Sequence, residues 1–294
     1  MLKKIVFILR KENVLTKIDG LLQELAAQGI EVCFVEGEDS TECGRDLLTV
    51  EDWREDIQGK DGEILYITDY AECQKELQSR GAPVMIYLHE NNREETFSFA
   101  EYAIENLEEI EYRSLELAWR RLTGKPWMIV ETARCVIRET TIEDVDSFYE
   151  IYKEPSITEY MEDLYADRDE EIAYVEDYIK NVYGFYGYGM WTVLEKESGR
   201  VIGRAGLTLR EGYDMPELGF VIGVPWQGQG YALEVCRAIL KYGKEELAFT
   251  TFQAMVMSGN HKSEALCQKL GFAYRETVEI EGDEYARMVL ETGK

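Results

Sequence analysis

Two hydrophobic rhythms run along this chain, and they change near its middle. In the first half, short apolar runs at Ile5–Leu9, Glu31–Glu36, Gly62–Thr68 and Val84–Leu88 read as buried strands. Between them, Thr16–Gln28 and Tyr70–Arg80 show helical spacing, and Phe97–Arg121 holds one or two further helices. Strand–helix alternation of this kind predicts an α/β fold, here a doubly wound three-layer domain on a parallel sheet, spanning 1–125. Helix-like sequence through Leu122 meets Gly124 and Pro126, a stop signal that places the domain boundary near Thr123–Thr132.

The second half reads differently. Cys135–Arg138 is a strand, helices follow near Ile142–Lys153 and Asp169–Val182, and strands near Trp191–Glu195 and Val201–Leu209. Leu218–Val224 is an apolar, strand-like run broken by Pro225 and Trp226. From Tyr231, apolar residues recur at helical spacing. Thr251–Met257 is rich in strand formers, and strands near Tyr274–Ile280 and Glu284–Leu290 end the domain.

The turn between Leu218–Val224 and the following helix carries the chemistry. A strand, a glycine-bearing turn and a helix N-terminus present unpaired backbone N–H groups and the positive end of the helix dipole to an anion. Gly228 and Gly230 let a phosphate approach with no Cβ in the way. No Lys-Ser/Thr follows the second glycine, which excludes a P-loop. Leu233 stands where G-x-G-x-x-G requires its last glycine. What remains, Gln227-x-x-Gly230-x-Ala232, resembles the Q/R-x-x-G-x-G/A signature of the GNAT superfamily of acyl-CoA N-acyltransferases.

Two further stretches carry the same resemblance. Asn260-His261-Lys262-Ser263 opens an amphipathic segment ending Lys269-Leu270-Gly271-Phe272, similar to the family's N-x-x-[AS] helix closing on G-F. Cys135-Val136-Ile137-Arg138-Glu139-Thr140-Thr141 resembles the family's opening strand. Phrases such as Val201-Ile202-Gly203-Arg204-Ala205-Gly206 are similar to the ribosomal-protein N-acetyltransferase-like branch, which also includes antibiotic- and polyamine-modifying members. The resemblance covers 134–294 and implies a GNAT α+β domain with a mixed, mostly antiparallel sheet.

It also implies roles. Acetyl-CoA is the co-substrate, and Phe220, Val221 and Ile222 contact its pantetheine arm and polarise the thioester. Gly228, Gln229, Gly230, Tyr231, Ala232 and Leu233 hold the pyrophosphate, Gln227 braces the turn, and Asn260 and Ser263 complete the cofactor site. Many relatives place a tyrosine acid where this chain has Cys267. Two readings stand for that thiol, proton donor to the departing thiolate or core packing. Two also stand for Glu217, general base or solvated strand-start acid. The acceptor site would be lined by Glu162 and Asp163 beside the aromatic segment containing Tyr186 and Trp191, where acids and ring faces hold cationic amines; a solvated loop and a turn with core aromatics is the alternative.

Composition narrows the partners. The formal net charge is −26 and is shared about equally between the halves, with no basic patch for phosphate backbones, so nucleic acid is not expected. Such a field favours cationic molecules. The expected acceptor is a primary amine on a cationic small molecule or a protein N-terminus; a non-catalytic acyl-CoA sensor or scaffold is the alternative function. No apolar run approaches a membrane span, and Ile5–Leu9 is too short for a signal peptide's core. The six cysteines are dispersed without metal-site spacing, which predicts a reduced cytoplasmic protein with no metal. Homo-oligomerisation stays open.

The first domain has its own loose resemblance. Leu65-Tyr66-Ile67-Thr68-Asp69 through Gly81-Ala82-Pro83-Val84 is similar to part of a haloacid dehalogenase-like fold. The nucleophilic Asp-x-Asp of such hydrolases is missing, since Leu9 is followed by Arg10-Lys11-Glu12. The expectation is a degenerate, non-catalytic Rossmann-like module. Asp69 is read as an exposed strand-end acid, with a leftover metal ligand as the other reading.

Overall fold

A computed structural model describes residues 1–10, 18–36, 57, 62–98 and 100–293. They form two compact units, Met1–Trp127 and Met128–Lys294.

In the first unit, β1 (Lys4–Leu9), β2 (Glu31–Glu36), β3 (Ile64–Thr68), β4 (Val84–Tyr87) and β5 (Ala103–Ile104) form one sheet in the order β2-β1-β3-β4-β5. Every pairing is parallel. Alternate residues of each strand pack on opposite faces. Ile5, Phe7, Leu65 and Ile67 meet Leu21 and Leu25 of helix Asp19–Ala27 and Trp119 of helix Tyr112–Leu122. On the other face, Val6, Ile8 and Tyr66 meet Leu77 of helix Ala71–Ser79. Burial on both faces explains why these strands read as unbroken apolar runs.

Phe97–Arg121 holds one helix, which begins at Tyr112, and before it Ala103–Ile104 is a strand. The edge of β4 decides this, because Ile86 and Leu88 donate their N–H groups to Tyr102 and Ile104 carbonyls at 3.0 and 2.8 Å. One expectation for this unit needs correction: Asp69 is not exposed. It is wholly buried, its carboxylate accepting from the Arg10 N–H at 3.0 Å and lying 3.1 Å from His89 Nε2. It ends a central strand, so neighbouring strand ends cover it from both sides. Cys43 and the start of Thr16–Gln28 lie outside the described residues.

The second unit is built on eight strands: β6 (Met128–Glu131), β7 (Cys135–Arg138), β8 (Met190–Glu195), β9 (Val201–Leu209), β10 (Pro216–Ile222), β11 (Thr251–Met257), β12 (Ala273–Ile280) and β13 (Asp283–Glu291). Their order is β12-β13-β11-β10-β9-β8-β7-β6. All neighbours are antiparallel except β10 and β11, which run parallel. On one face Val221 packs with Phe148, Ile151 and Tyr152 of helix Val145–Tyr152 and with Ile157 of helix Pro155–Thr158. On the other lies helix Tyr231–Glu245, with Gly243 close against Leu207 and Phe252.

The helix beginning at Arg168 runs further than its sequence suggests. After Asp177 it widens into a π-helical turn, Tyr178–Tyr183, and continues to Tyr186, where Gly187 at φ 72° ends it. The glycine-rich segment after Val182 is therefore not a plain turn. Tyr178 and Tyr183 both reach Met190: the Met190 N–H donates to the Tyr178 phenol at 2.8 Å, and the Tyr183 phenol donates to the Met190 carbonyl.

Candidate active site

The distinctive feature of the sheet is where it opens. β10 and β11 share a single ladder position, Glu217 opposite Gln253. Beyond it the strands part, and Gly219–Ile222 and Ala254–Met257 line the two sides of one cavity of about 2260 Å³. The Gly223 N–H donates to the Ile202 carbonyl at 2.8 Å. Because an antiparallel ladder turns every second residue toward its partner, Val221 and Gly219 face β9, while Phe220 and Ile222 turn their amides to the gap. The Ile222 carbonyl is taken by the Gln227 side-chain amide at 2.9 Å, which ties the turn to the strand. The Phe220 amide faces the opening.

At the same end the chain turns into helix Tyr231–Glu245. Val224–Trp226 is a short 3₁₀ turn rather than strand, since Pro225 fixes the helical φ. Gly228 and Gly230 take φ of 73° and 83°, and no side chain caps the helix start. The first N–H groups of the helix, at Tyr231, Ala232 and Leu233, are left to a ligand. Gln227, Gly228, Gly230, Tyr231, Ala232 and Leu233 line the cavity. Gln229 does not; its side chain donates to the Pro225 carbonyl at 2.7 Å. Asn260 caps helix His261–Leu270, accepting from the Ser263 N–H at 3.1 Å, and both residues line the cavity.

One residue of this end was not foreseen. The Arg134 guanidinium stacks 4.1 Å from the Tyr231 ring centre, bonds Glu234 at 2.7 Å and donates to the Gln229 carbonyl at 3.1 Å. It clamps the outside of the turn from a hundred residues away, a contact with no local sequence signal.

The residues singled out as catalytic occupy different environments. Glu217 lines the cavity, but both its oxygens accept from Arg210, at 2.6 and 2.7 Å. It is buried, not a solvated strand-start acid. Cys267 is fully buried, and burial pushes its thiol up to about 12. An ordinary thiol titrates near about 8.5, so proton transfer from Cys267 to a departing thiolate is uphill. Cys267 also lines the cavity, and its burial weighs toward the core-packing reading.

The far end of the cavity is roofed by helices and floored by β8, β9 and β10. Glu162 and Asp163 are exposed at its rim. Trp191 is elsewhere. It pairs with Ala205, one residue out of step with Met190, so it points to the opposite face and meets Tyr242 edge-on at 5.7 Å. A one-residue step along a strand moves a side chain through the sheet. Tyr186 is exposed against Phe185 and Tyr188 and does not line the cavity. The aromatic wall is instead Tyr152, Tyr174 and Tyr178, with Met190 on the floor. Arg204 and Glu171, both buried, complete it. Their sequence signal was a helical period of tyrosines at 174 and 178, overshadowed by the denser cluster after Val182.

Similarity to known proteins lies in the second unit. Residues 134–273 match the model of the acetyltransferase (GNAT) domain. The uncharacterized protein YkkB of Bacillus subtilis is 29% identical over 147 residues, covering 48% of this chain and 84% of that protein. The uncharacterized N-acetyltransferase YoaA of the same organism is 24% identical over 148 residues, 49% of this chain and 82% of that one. Among solved structures, a GNAT-family acetyltransferase from Bacillus anthracis aligns with a TM-score of 0.48 at 20% identity, over 56% of this chain and 99% of that one.

Proposed function

We propose that the Met128–Lys294 unit transfers an acetyl group from acetyl-CoA to a primary amine. The observation that carries this is the joining, in one cavity, of a strand gap and an uncapped helix start. The helix N–H groups at Tyr231, Ala232 and Leu233 suit the pyrophosphate, and Gly228 and Gly230 keep side chains out of its way. The pantetheine arm fits the gap between β10 and β11, with the amides of Phe220 and Ile222 and the Asn260 side chain within its walls. Phe220 N–H is aimed where a thioester oxygen gains charge.

In the transfer, the amine nitrogen forms a bond to the acetyl carbon, the carbon–sulfur bond breaks, and sulfur leaves as thiolate. The nitrogen gives up a proton, and the thiolate takes one up. We assign the first proton to Glu217 through water, on the cavity wall beside the reacting strand. The thiolate is protonated from solvent rather than by Cys267. The acids Glu162 and Asp163 at the rim favour arrival of an ammonium group. The Met1–Trp127 unit is assigned a non-catalytic role, as Asp69 is engaged by Arg10 and His89.

The test is calorimetry of the full chain with acetyl-CoA, followed by thiol release with an amine panel. Binding with release is expected. Absence of acetyl-CoA binding overturns the proposal; binding with no release for any amine favours the sensor role.

A further inference from the structure

Arg204 is an unusual residue to find in this wall. It sits on a central strand, 8% exposed, its guanidinium 4.6 Å from the Phe148 ring centre. Its Nε has no hydrogen-bond partner, and no carboxylate among the described residues forms an ion pair with it. The surrounding rings are Tyr152, Tyr174 and Tyr178, phenols rather than anions. A guanidinium removed from water without a counter-ion is costly. An aromatic face and a side-chain hydrogen bond with Tyr152 recover part of that cost, but leave the Nε donor unused.

The cavity offers a reason. Arg204 lies directly across the β9–β10 ladder from Val221, with side chains on the same face. The next pair on that face is Gly206 and Gly219, which bring no side chains, so the floor beside Arg204 is supplied by Met190, whose Sδ would lie 3.0 Å from a Cβ at Gly219. A Cβ on Gly206 would fall 2.0 Å from the Gly189 carbonyl oxygen, so that position itself carries no side chain. A second buried atom without a partner belongs to another residue lining the cavity: Glu171 Oε1, on a residue 2% exposed whose other oxygen accepts from the Tyr165 N–H at 3.1 Å. Arg204 and Glu171 thus both line the cavity, each with one buried polar atom left without a partner, and no ion pair joins them among the described residues.

We propose that the acceptor is a small amino carboxylate, an amine with a carboxylate a few bonds from its nitrogen, as in a free α-amino acid. Arg204 receives the carboxylate through its fork of donors, a pairing that planar guanidinium favours. Glu171 Oε1 accepts from the amino group. The short span follows from register: cross-strand neighbours stand about 5.5 Å apart, and the Phe220 amide that faces the thioester adjoins Val221. The acids at the rim draw the ammonium end of such a zwitterion, while the carboxylate is matched only inside. This inference rests on the acetyl-transfer reading for the amine's fate, but the binding claim stands on Arg204 and Glu171 alone.

The test uses the full chain, with and without saturating coenzyme A, titrated calorimetrically with the twenty L-α-amino acids. Each is compared with its carboxamide and its decarboxylated amine. At least one amino acid is expected to bind about tenfold or more tightly than both analogues, the difference expected of a charge-assisted pair. Arg204→Gln should erase that difference and Arg204→Lys should keep part of it. If the carboxamides or plain amines bind as well as every amino acid, or nothing in the panel binds, the proposal is wrong, and equal binding of carboxamides points to a peptide N-terminus instead. Should Arg204→Gln fail to fold, the wild-type panel and Arg204→Lys decide. Loss of coenzyme A binding alone would sink the donor site and leave the titration without coenzyme A to judge this claim.

Discussion

At the proposed acetyl-CoA end of the cavity, the groups that we assign to the ligand belong to the backbone: helix N–H groups after Gly230 and strand amides at Phe220 and Ile222. At the acceptor end they are side chains, Arg204, Glu171 and three tyrosines, drawn from β9 and from helical residues 145–183. Backbone groups need only the right local conformation, which a few glycines and a proline specify. Side-chain walls depend on which elements meet, and in what register. The first kind of site tolerates much substitution around fixed glycines. The second is where relatives on the same fold can diverge in acceptor.

The largest effect separates core from wall. Trp191→Ala should destabilise the fold by about 3–5 kcal/mol in urea unfolding, because Trp191 is fully buried against Tyr242. Tyr186→Ala should change stability by less than about 0.5 kcal/mol, as surface changes do. Similar losses for both would mean that the aromatic segment acts as one unit.

Gly230→Glu should weaken acetyl-CoA binding by about a thousandfold, about 4 kcal/mol, measured by calorimetry. The residue sits at φ 83°, where other residues are strained, and the new carboxylate would meet the phosphates. Unchanged affinity would show that the helix start is not the anion site. Glu217→Gln should lower kcat about a hundredfold with acetyl-CoA affinity kept. Cys267→Ala should leave kcat within about twofold, since the thiol is pushed to about 12 and held in the core. The reverse order of those two effects would return the acid role to the thiol.

The smallest effect tests the rim. Glu162→Gln/Asp163→Asn should raise the acceptor KM a few-fold, in keeping with roughly 0.2–1 kcal/mol per exposed ion pair. The rise should shrink with salt, since exposed charges are screened over about 10 Å at 0.1 M. A double variant with wild-type KM at low salt would assign acceptor recognition to the buried wall alone.

Much of the donor end was legible from local sequence. Gly228 and Gly230 mark positive φ, Pro225 ends the strand, and Asn260 and Gly271 bracket a helix, each by rules that act within a few residues. The parting of β10 from β11 was not legible, because it is a relation between strands 30 residues apart. Misreadings at the acceptor end share one cause. Trp191 and Met190 differ by one position, and only pairing with β9 shows which faces the cavity. Glu217 was recognisable as an acid at a strand start, but its bond to Arg210 needed the turn between β9 and β10 to close.

By itself, the sequence determined the alternation of elements, the place of the change between two halves and the turn that precedes Tyr231. Those features follow from backbone preferences and hydrophobic period, which are local. Tertiary structure decided which side chains face the cavity, why Asp69 is buried, and that Arg204 enters a wall of tyrosines with no ion-pair partner among the described residues. Burial and charge pairing are properties of neighbours in space, and residues far apart in the chain supply them.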